Sequence, residues 1–196
     1  MTDISPLRLA VITASVRDTR LGPAVSEWVL AQAATRPELD VSLIDLLDHP
    51  LPLVLPAPGR SPEPEVAATR DRLSTQLARA DAFVIVTPEY NHSFPASLKN
   101  VLDWFLTEWA GKPVGFVSYG GHAGGLRAVE QLRLVFAELH TVTVRETVSF
   151  HHAWEQFPVG TTVTDAGAAA AAKTLFDQLV WWARPLRAAR AEHPYG

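Results

Sequence analysis

The sequence predicts an α/β domain built on a doubly wound, five-stranded parallel sheet with helices on both faces. Three observations carry that expectation. Short apolar runs rich in valine and isoleucine alternate with segments of helical periodicity along a chain of 196 residues. The runs at 7–14 and 82–87 are almost wholly apolar, as strands covered on both faces should be. No internal repeat is visible, and the length suits one domain spanning 1–196.

Taken in order, residues 7–14 read as the first strand, ending in small and polar residues. From 23 to about 36 the period becomes helical, with Val25, Trp28, Val29 and Ala33 on one side. Residues 41–46 alternate and read as a second strand. The proline-rich stretch 49–64 suits neither a helix nor an inner strand and reads as an ordered surface loop within the domain. Residues 65–80 are helical and 82–87 form a buried strand. A helix over 95–109 places Leu98, Val101, Leu102 and Phe105 at core-facing spacing. A strand at 114–119, a helix at 126–139, an alternating strand at 142–148 and an alanine-rich helix at 166–191 complete the chain. Strands alternating with helices imply parallel βαβ units, and five of them fit the flavodoxin-like order 2-1-3-4-5. Ligands of such sheets bind beyond the carboxyl ends of the strands, so the loops after Ala14, Thr87 and Tyr119 are the ones to inspect.

Composition narrows the function. The chain has no cysteine, which excludes disulfides, zinc–thiolate sites and thiol catalysis. A formal net charge of −4 argues against a general nucleic-acid binder, whose phosphate contacts need a cationic face. The amino-terminal apolar run is too short and poorly flanked for a signal peptide. No later stretch approaches the roughly 18 apolar residues of a membrane span, so a cytoplasmic protein is expected.

The first loop runs Thr13-Ala14-Ser15-Val16-Arg17-Asp18-Thr19-Arg20-Leu21-Gly22-Pro23, from a strand end to a helix start. A helix N-terminus presents unpaired N–H groups and about half a positive charge. Ser15 and Thr19 add hydroxyl donors, and Arg17 and Arg20 add forks suited to phosphate oxygens. Neither G-x-G-x-x-G nor G-x-x-x-x-G-K-[ST] occurs here, so the dinucleotide and nucleoside-triphosphate fingerprints are absent. A polar turn with surface arginines is the competing reading. The second loop, Thr87 to Pro95, is bracketed by prolines that restrain its backbone. Tyr90 and Phe94 offer apolar walls. His92 is a candidate for binding a substrate oxygen or donating a proton, although a loop histidine is more often simply a surface or interface residue. The third loop, Ser118-Tyr119-Gly120-Gly121-His122-Ala123-Gly124-Gly125, has glycines that permit positive φ and close approach of a planar ring; a turn capping a helix fits as well. Beyond the last strand, His151-His152-Ala153-Trp154 combines titratable rings with a large aromatic. It reads either as the substrate side of the pocket or as packing for the final helix.

The run Pro88-Glu89-Tyr90-Asn91-His92-Ser93-Phe94-Pro95-Ala96-Ser97-Leu98-Lys99-Asn100-Val101-Leu102-Asp103-Trp104 closely resembles the signature stretch of the NADPH-dependent FMN reductase family of flavodoxin-like quinone and azo reductases. The likeness extends to the loop at 15–17, the glycine pair at 120–121 and the order of elements from about residue 7 to 180. It departs from the family pattern at Ala14, where a glycine is usual. The resemblance implies that Ser15 and Arg17 hold the FMN phosphate, helped by backbone N–H groups near Leu21 and Gly22. It implies that Pro88, Glu89, Tyr90 and Asn91 line one edge of the isoalloxazine ring, and Ser118, Gly120 and Gly121 the other. It further implies ping-pong transfer of two electrons from NADPH or NADH to quinones, azo compounds, metal oxyanions or free flavins, with the chemistry at flavin N5 and no protein nucleophile or metal. Homodimers or homotetramers are implied, with residues 99–109 at the interface; Trp104, Phe105 and Trp109 suit that interface or the core alike. A flavodoxin-like electron carrier and a regulatory FMN-binding module are the alternatives.

Overall fold

The computed structural model describes residues 5–158, 163 and 165–195. Five parallel strands, β1 (Leu7–Thr13), β2 (Leu39–Asp45), β3 (Ala82–Pro88), β4 (Pro113–Tyr119) and β5 (Val142–Phe150), pair in the order β2-β1-β3-β4-β5. This is the topology expected from the sequence. Six helices connect and cover them: α1 (Gly22–Ala33), α2 (Pro64–Arg79), α3 (Ala96–Trp104), α4 (Leu126–Glu138), α5 (Ala153–Gln156) and α6 (Ala166–Glu192).

The strand period of two explains the double winding. Leu7, Leu9, Val11, Val84, Val86 and Val117 point to one face, where they pack with Trp28 and Val29 of α1 and Leu175 and Phe176 of α6. Their alternates Ala10, Ile12, Phe83, Ile85 and Phe116 point to the other face, against Leu73 of α2, Leu98 of α3 and Leu132 of α4. Both faces are closed, which is why β3 and β4 are buried at every position.

The boundaries depart from the sequence reading in three instructive places. The helix expected over 95–109 ends at Trp104, because Phe105 turns extended (φ −129°, ψ 135°) and drives its ring into the core. Trp109 follows it inward, fully buried 4.9 Å from the Phe83 ring, with its indole N–H donated to the Phe105 carbonyl. Phe105 and Trp109 are therefore core residues, the second of the two readings open for them, while Trp104 stays half-buried at the surface. Leu46 belongs to a 3-10 turn, Leu46–Asp48, and not to β2, since the Asp45 carboxylate accepts the Leu47 N–H and ends the strand. Strand β5 continues to Phe150, two residues past its expected end, and leads into the short helix α5, which periodicity did not reveal.

Candidate functional site

The loops after β1, β3 and β4 meet at the carboxyl edge of the sheet, where topology places a ligand crevice. The first is anchored at its root. Ala14 donates its N–H to Val86 O (2.9 Å) and accepts from Ser97 Oγ (2.6 Å). Ala14 is not among the residues with positive φ, so alanine follows the turn without the conformational freedom of glycine. That freedom is taken up by Thr19, at φ 52°.

The two arginines of this loop diverge. Arg20 donates to both carboxylate oxygens of Asp45, each at 2.7 Å, and to the Ser15 carbonyl at 2.6 Å. The Asp45 hydrogen bond is the main reason its pKa is raised. Arg20 is thus fastened between β2 and the loop, and its guanidinium shapes the loop where the sequence suggested a free phosphate fork. Arg17 is exposed, with its guanidinium carbon 5.1 Å from the Tyr90 ring centroid, and has no carboxylate partner among the described residues. Ser15 is fully buried, and its hydroxyl has no aligned hydrogen-bond partner among the described residues. Helix α1 begins beside it at Gly22, with no side-chain cap and no acidic residue in its first turn. Gly22 is required by contact: a Cβ there would collide with Ser15 Oγ and lie 2.9 Å from Thr13 Cγ2.

The second loop is a tight turn. Tyr90 and Ser93 exchange backbone hydrogen bonds at 2.8 and 3.1 Å, with Asn91 and His92 both at positive φ (50° and 75°). Two left-handed residues in succession are the type I′ geometry, which asparagine tolerates best among non-glycine residues. Gln131 of α4 secures the turn, accepting from Ser93 Oγ and donating to the His92 carbonyl. Asn91 and His92 are exposed at its tip, while Pro88 is buried and Glu89 and Tyr90 are half-buried. Glu89 receives Arg127 Nη1 on Oε1 at 2.9 Å, and its Oε2 is buried without a partner among the described residues.

The third loop is stitched to the segment after β5. Gly120 donates its N–H to Phe150 O, and the Gly120 and Gly121 carbonyls accept from Ala153 N and His152 N, each at 3.0 Å. The Gly120 N–H is therefore occupied. Positive φ falls on Gly124 and Gly125, and not on the 120–121 pair. Ser118 donates to the Gly124 carbonyl (2.8 Å), as does Ser149. Ser118, Gly120 and Gly121 thus form one wall, with the main chain of 150–153 against it. Trp154 is 58% exposed beside Gly121, where a Cβ would lie 3.5 Å from the indole edge. The rings of His122, His152 and Trp154 stack edge to face in series, at 4.8 and 5.7 Å.

Sequence reasoning overlooked three features of this edge. These are the buried Tyr119 hydroxyl, the Glu89–Arg127 pair and the Gln131 brace. Only Tyr119 carried a signal, as a polar aromatic on the last residue of an apolar strand. Recesses at the opposite, amino edge, lined by Arg8, Asp40, Ser42, Gln76 and Arg79, hold none of the three loops.

The chain is similar to known proteins in sequence and in fold. A family model described as NADPH-dependent FMN reductase matches residues 7–155. An NAD(P)H-dependent FMN reductase of Schizosaccharomyces pombe is 40% identical over 127 residues, spanning 60% of this chain and 60% of that relative. An NADPH:quinone oxidoreductase of Arabidopsis thaliana is 35% identical over 156 residues, covering 74% of this chain and 76% of its own length. The solved flavoenzyme NAD(P)H:(acceptor) oxidoreductase FerB of Paracoccus denitrificans shares the fold, with a TM-score of 0.68 at 24% identity over 91% of this chain and 98% of that one.

Proposed function

The chain belongs to the NADPH-dependent FMN reductase family, and from that membership we propose that it is an FMN-dependent NAD(P)H oxidoreductase serving quinones, azo compounds, free flavins or similar small acceptors. The observation that carries this reading is the donor set at the start of α1. A buried Ser15 hydroxyl faces a helix N-terminus with no side-chain cap, and Arg17, which has no carboxylate partner among the described residues, stands at the mouth. Donors gathered with no acceptor suit an oxyanion of the size of one phosphate.

The residues fit FMN. Ser15, Arg17 and the N–H groups of Leu21 and Gly22 would hold its phosphate, with Arg20 bracing the loop from Asp45. The main chain of Pro88, Glu89, Tyr90 and Asn91 would border one side of the ring, and Ser118, Gly120 and Gly121 the other. Bound FMN would supply two-electron chemistry that no side chain of this protein possesses. In that scheme the protein binds, orients and excludes water. NAD(P)H and the acceptor would use that site in turn, a ping-pong order. His92 at the turn tip and the His152–Trp154 segment flank that site, placed to stack on planar acceptors and to donate protons.

We further propose a symmetric homodimer or homotetramer. The proline-rich loop is pinned to α3 by Asn100 and Trp104 side chains and carries Leu53 and Val54 at 74% and 84% exposure. Leu106, just past α3, is 68% exposed. Exposed apolar side chains of this kind suit an interface between copies.

The test is direct. Protein purified from cells should be yellow, release a cofactor that chromatographs with FMN, and oxidise NADPH when a quinone is added. A flavin-loaded protein that leaves NADPH and NADH untouched would be an electron carrier, and FAD as the main cofactor would refute the phosphate-sized site.

A further inference from the structure

Tyr119 ends β4 with a ring that is 5% exposed and packed in the α1-side core with Val25 and Trp28. Its hydroxyl reaches out of that core to the start of α1. A Cβ built on Gly22 would lie 3.1 Å from Tyr119 OH and would collide with Ser15 Oγ, so the two hydroxyls share one small space. Both are buried, with no partner besides each other among the described residues: Ser15 lies close enough to act on the phenol, although the two hydroxyls are not aligned to bond. Orphaned buried hydroxyls are costly and uncommon, and a pair of them side by side calls for a partner.

The groups around this space are donors or are already engaged. Thr13 Oγ1 is bonded to Ser26 Oγ at 2.6 Å. The Asp45 carboxylate is covered by Arg20. The first turn of α1 contributes N–H groups and no carboxylate. Burial pushes the Tyr119 phenol up, with the nearby Ser15 hydroxyl opposing, so the group remains a neutral O–H donor at ordinary pH.

We infer that Tyr119 is a positioning residue for the phosphate end of the cofactor: its O–H donates to Ser15 Oγ and turns the serine proton toward a phosphate oxygen. A serine that accepts one hydrogen bond is a stronger donor of the next, so the phenol sharpens Ser15 without touching the ligand. This role rests on the phosphate site proposed above.

The experiment uses two ligands that differ only by the phosphate. Kd values for FMN and riboflavin are measured by flavin fluorescence quenching on wild-type apoprotein, Tyr119→Phe, Ser15→Ala and the double variant, with Tm measured for each. Tyr119→Phe keeps the ring and should weaken FMN about three- to tenfold, the usual effect of one hydrogen bond, while riboflavin affinity stays unchanged. The double variant should bind FMN no more weakly than Ser15→Ala alone, because the phenol acts through the serine. Unchanged FMN affinity, equal weakening of both flavins, or additive losses in the double variant would each overturn the role. A wild type that binds FMN and riboflavin alike would overturn the phosphate site itself, and this role with it.

Discussion

Arg17 and Arg20 stand three residues apart in one loop and have different surroundings. Arg20 lies between Asp45 and the Ser15 carbonyl, with side chains only 12% and 15% exposed across the ion pair. Removing it strands a half-buried carboxylate, so Arg20→Ala should lower unfolding free energy by roughly 1–3 kcal/mol in urea denaturation and loosen FMN as a consequence. Arg17 is exposed, and among the described residues its guanidinium has only the Tyr90 ring beside it and no ion pair. Arg17→Ala should therefore leave the urea midpoint unchanged while weakening FMN about ten- to a hundredfold, the effect of one charge-assisted contact. An unchanged titration would move the phosphate elsewhere. The sequence shows both arginines as equal candidates. Only the pairing of β1 with β2, which brings Asp45 alongside, separates them.

Among the elements, the segment after β5 has the most to decide. Its backbone is tied to the glycine loop by hydrogen bonds from His152 N and Ala153 N, so it borders the crevice, yet Trp154 itself lies open. If the indole stacks on acceptors, Trp154→Ala should raise the quinone KM several-fold at normal flavin content and leave the NADPH KM alone. The His151→Ala/His152→Ala double variant tests the histidines in the same assay. Wild-type constants in both would make the segment packing. The stretch after α3 is decided already by burial. Trp109 fills the space between Phe83 and Phe136, and Trp109→Ala should cost about 3–5 kcal/mol, read from chemical denaturation.

At the scale of the whole molecule, the amino edge holds an internal cation. Lys112 is 4% exposed and donates to the Leu77 and Ala78 carbonyls at the end of α2. Burial first, and then the charge of Arg190, lower its pKa from 10.5 to about 8, against partial support from Asp81 and Glu108. Between those two values the unfolded chain binds the proton and the folded chain has released it, so this residue's contribution to stability rises with pH across that window. Lys112→Met removes the titration. Urea unfolding at about pH 8 and pH 10 should then show wild type gaining on the variant as pH rises; parallel curves would mean that the lysine titrates normally. Assembly is the other property of this scale. Sedimentation at micromolar concentration should give a mass at least twice 21.4 kDa, and Leu53→Asp with Val54→Asp should reduce it. A single 21.4 kDa wild-type species would end the oligomer proposal.

The order of elements, the sheet topology and the three loops at the carboxyl edge were legible in the chain itself. They follow from local quantities: apolar period, proline and glycine placement, and the strand–helix alternation that forces parallel pairing. What stayed hidden depends on contacts between distant residues. Nothing local to Phe105 or Trp109 distinguishes an interface aromatic from a core aromatic; the backbone turn at the end of α3 does. Nothing near Tyr119 reveals that its hydroxyl meets Ser15, which lies 104 positions earlier, because that meeting requires β4, β3 and β1 to stand side by side. The two glycines that need positive φ could not be chosen from the four in the loop, since Gly124 and Gly125 acquire that conformation from the turn into α4. Pattern along the chain determines which elements form and in what order. The partner of each buried polar group is set only when the sheet closes, because burial and hydrogen bonding are properties of neighbours in space.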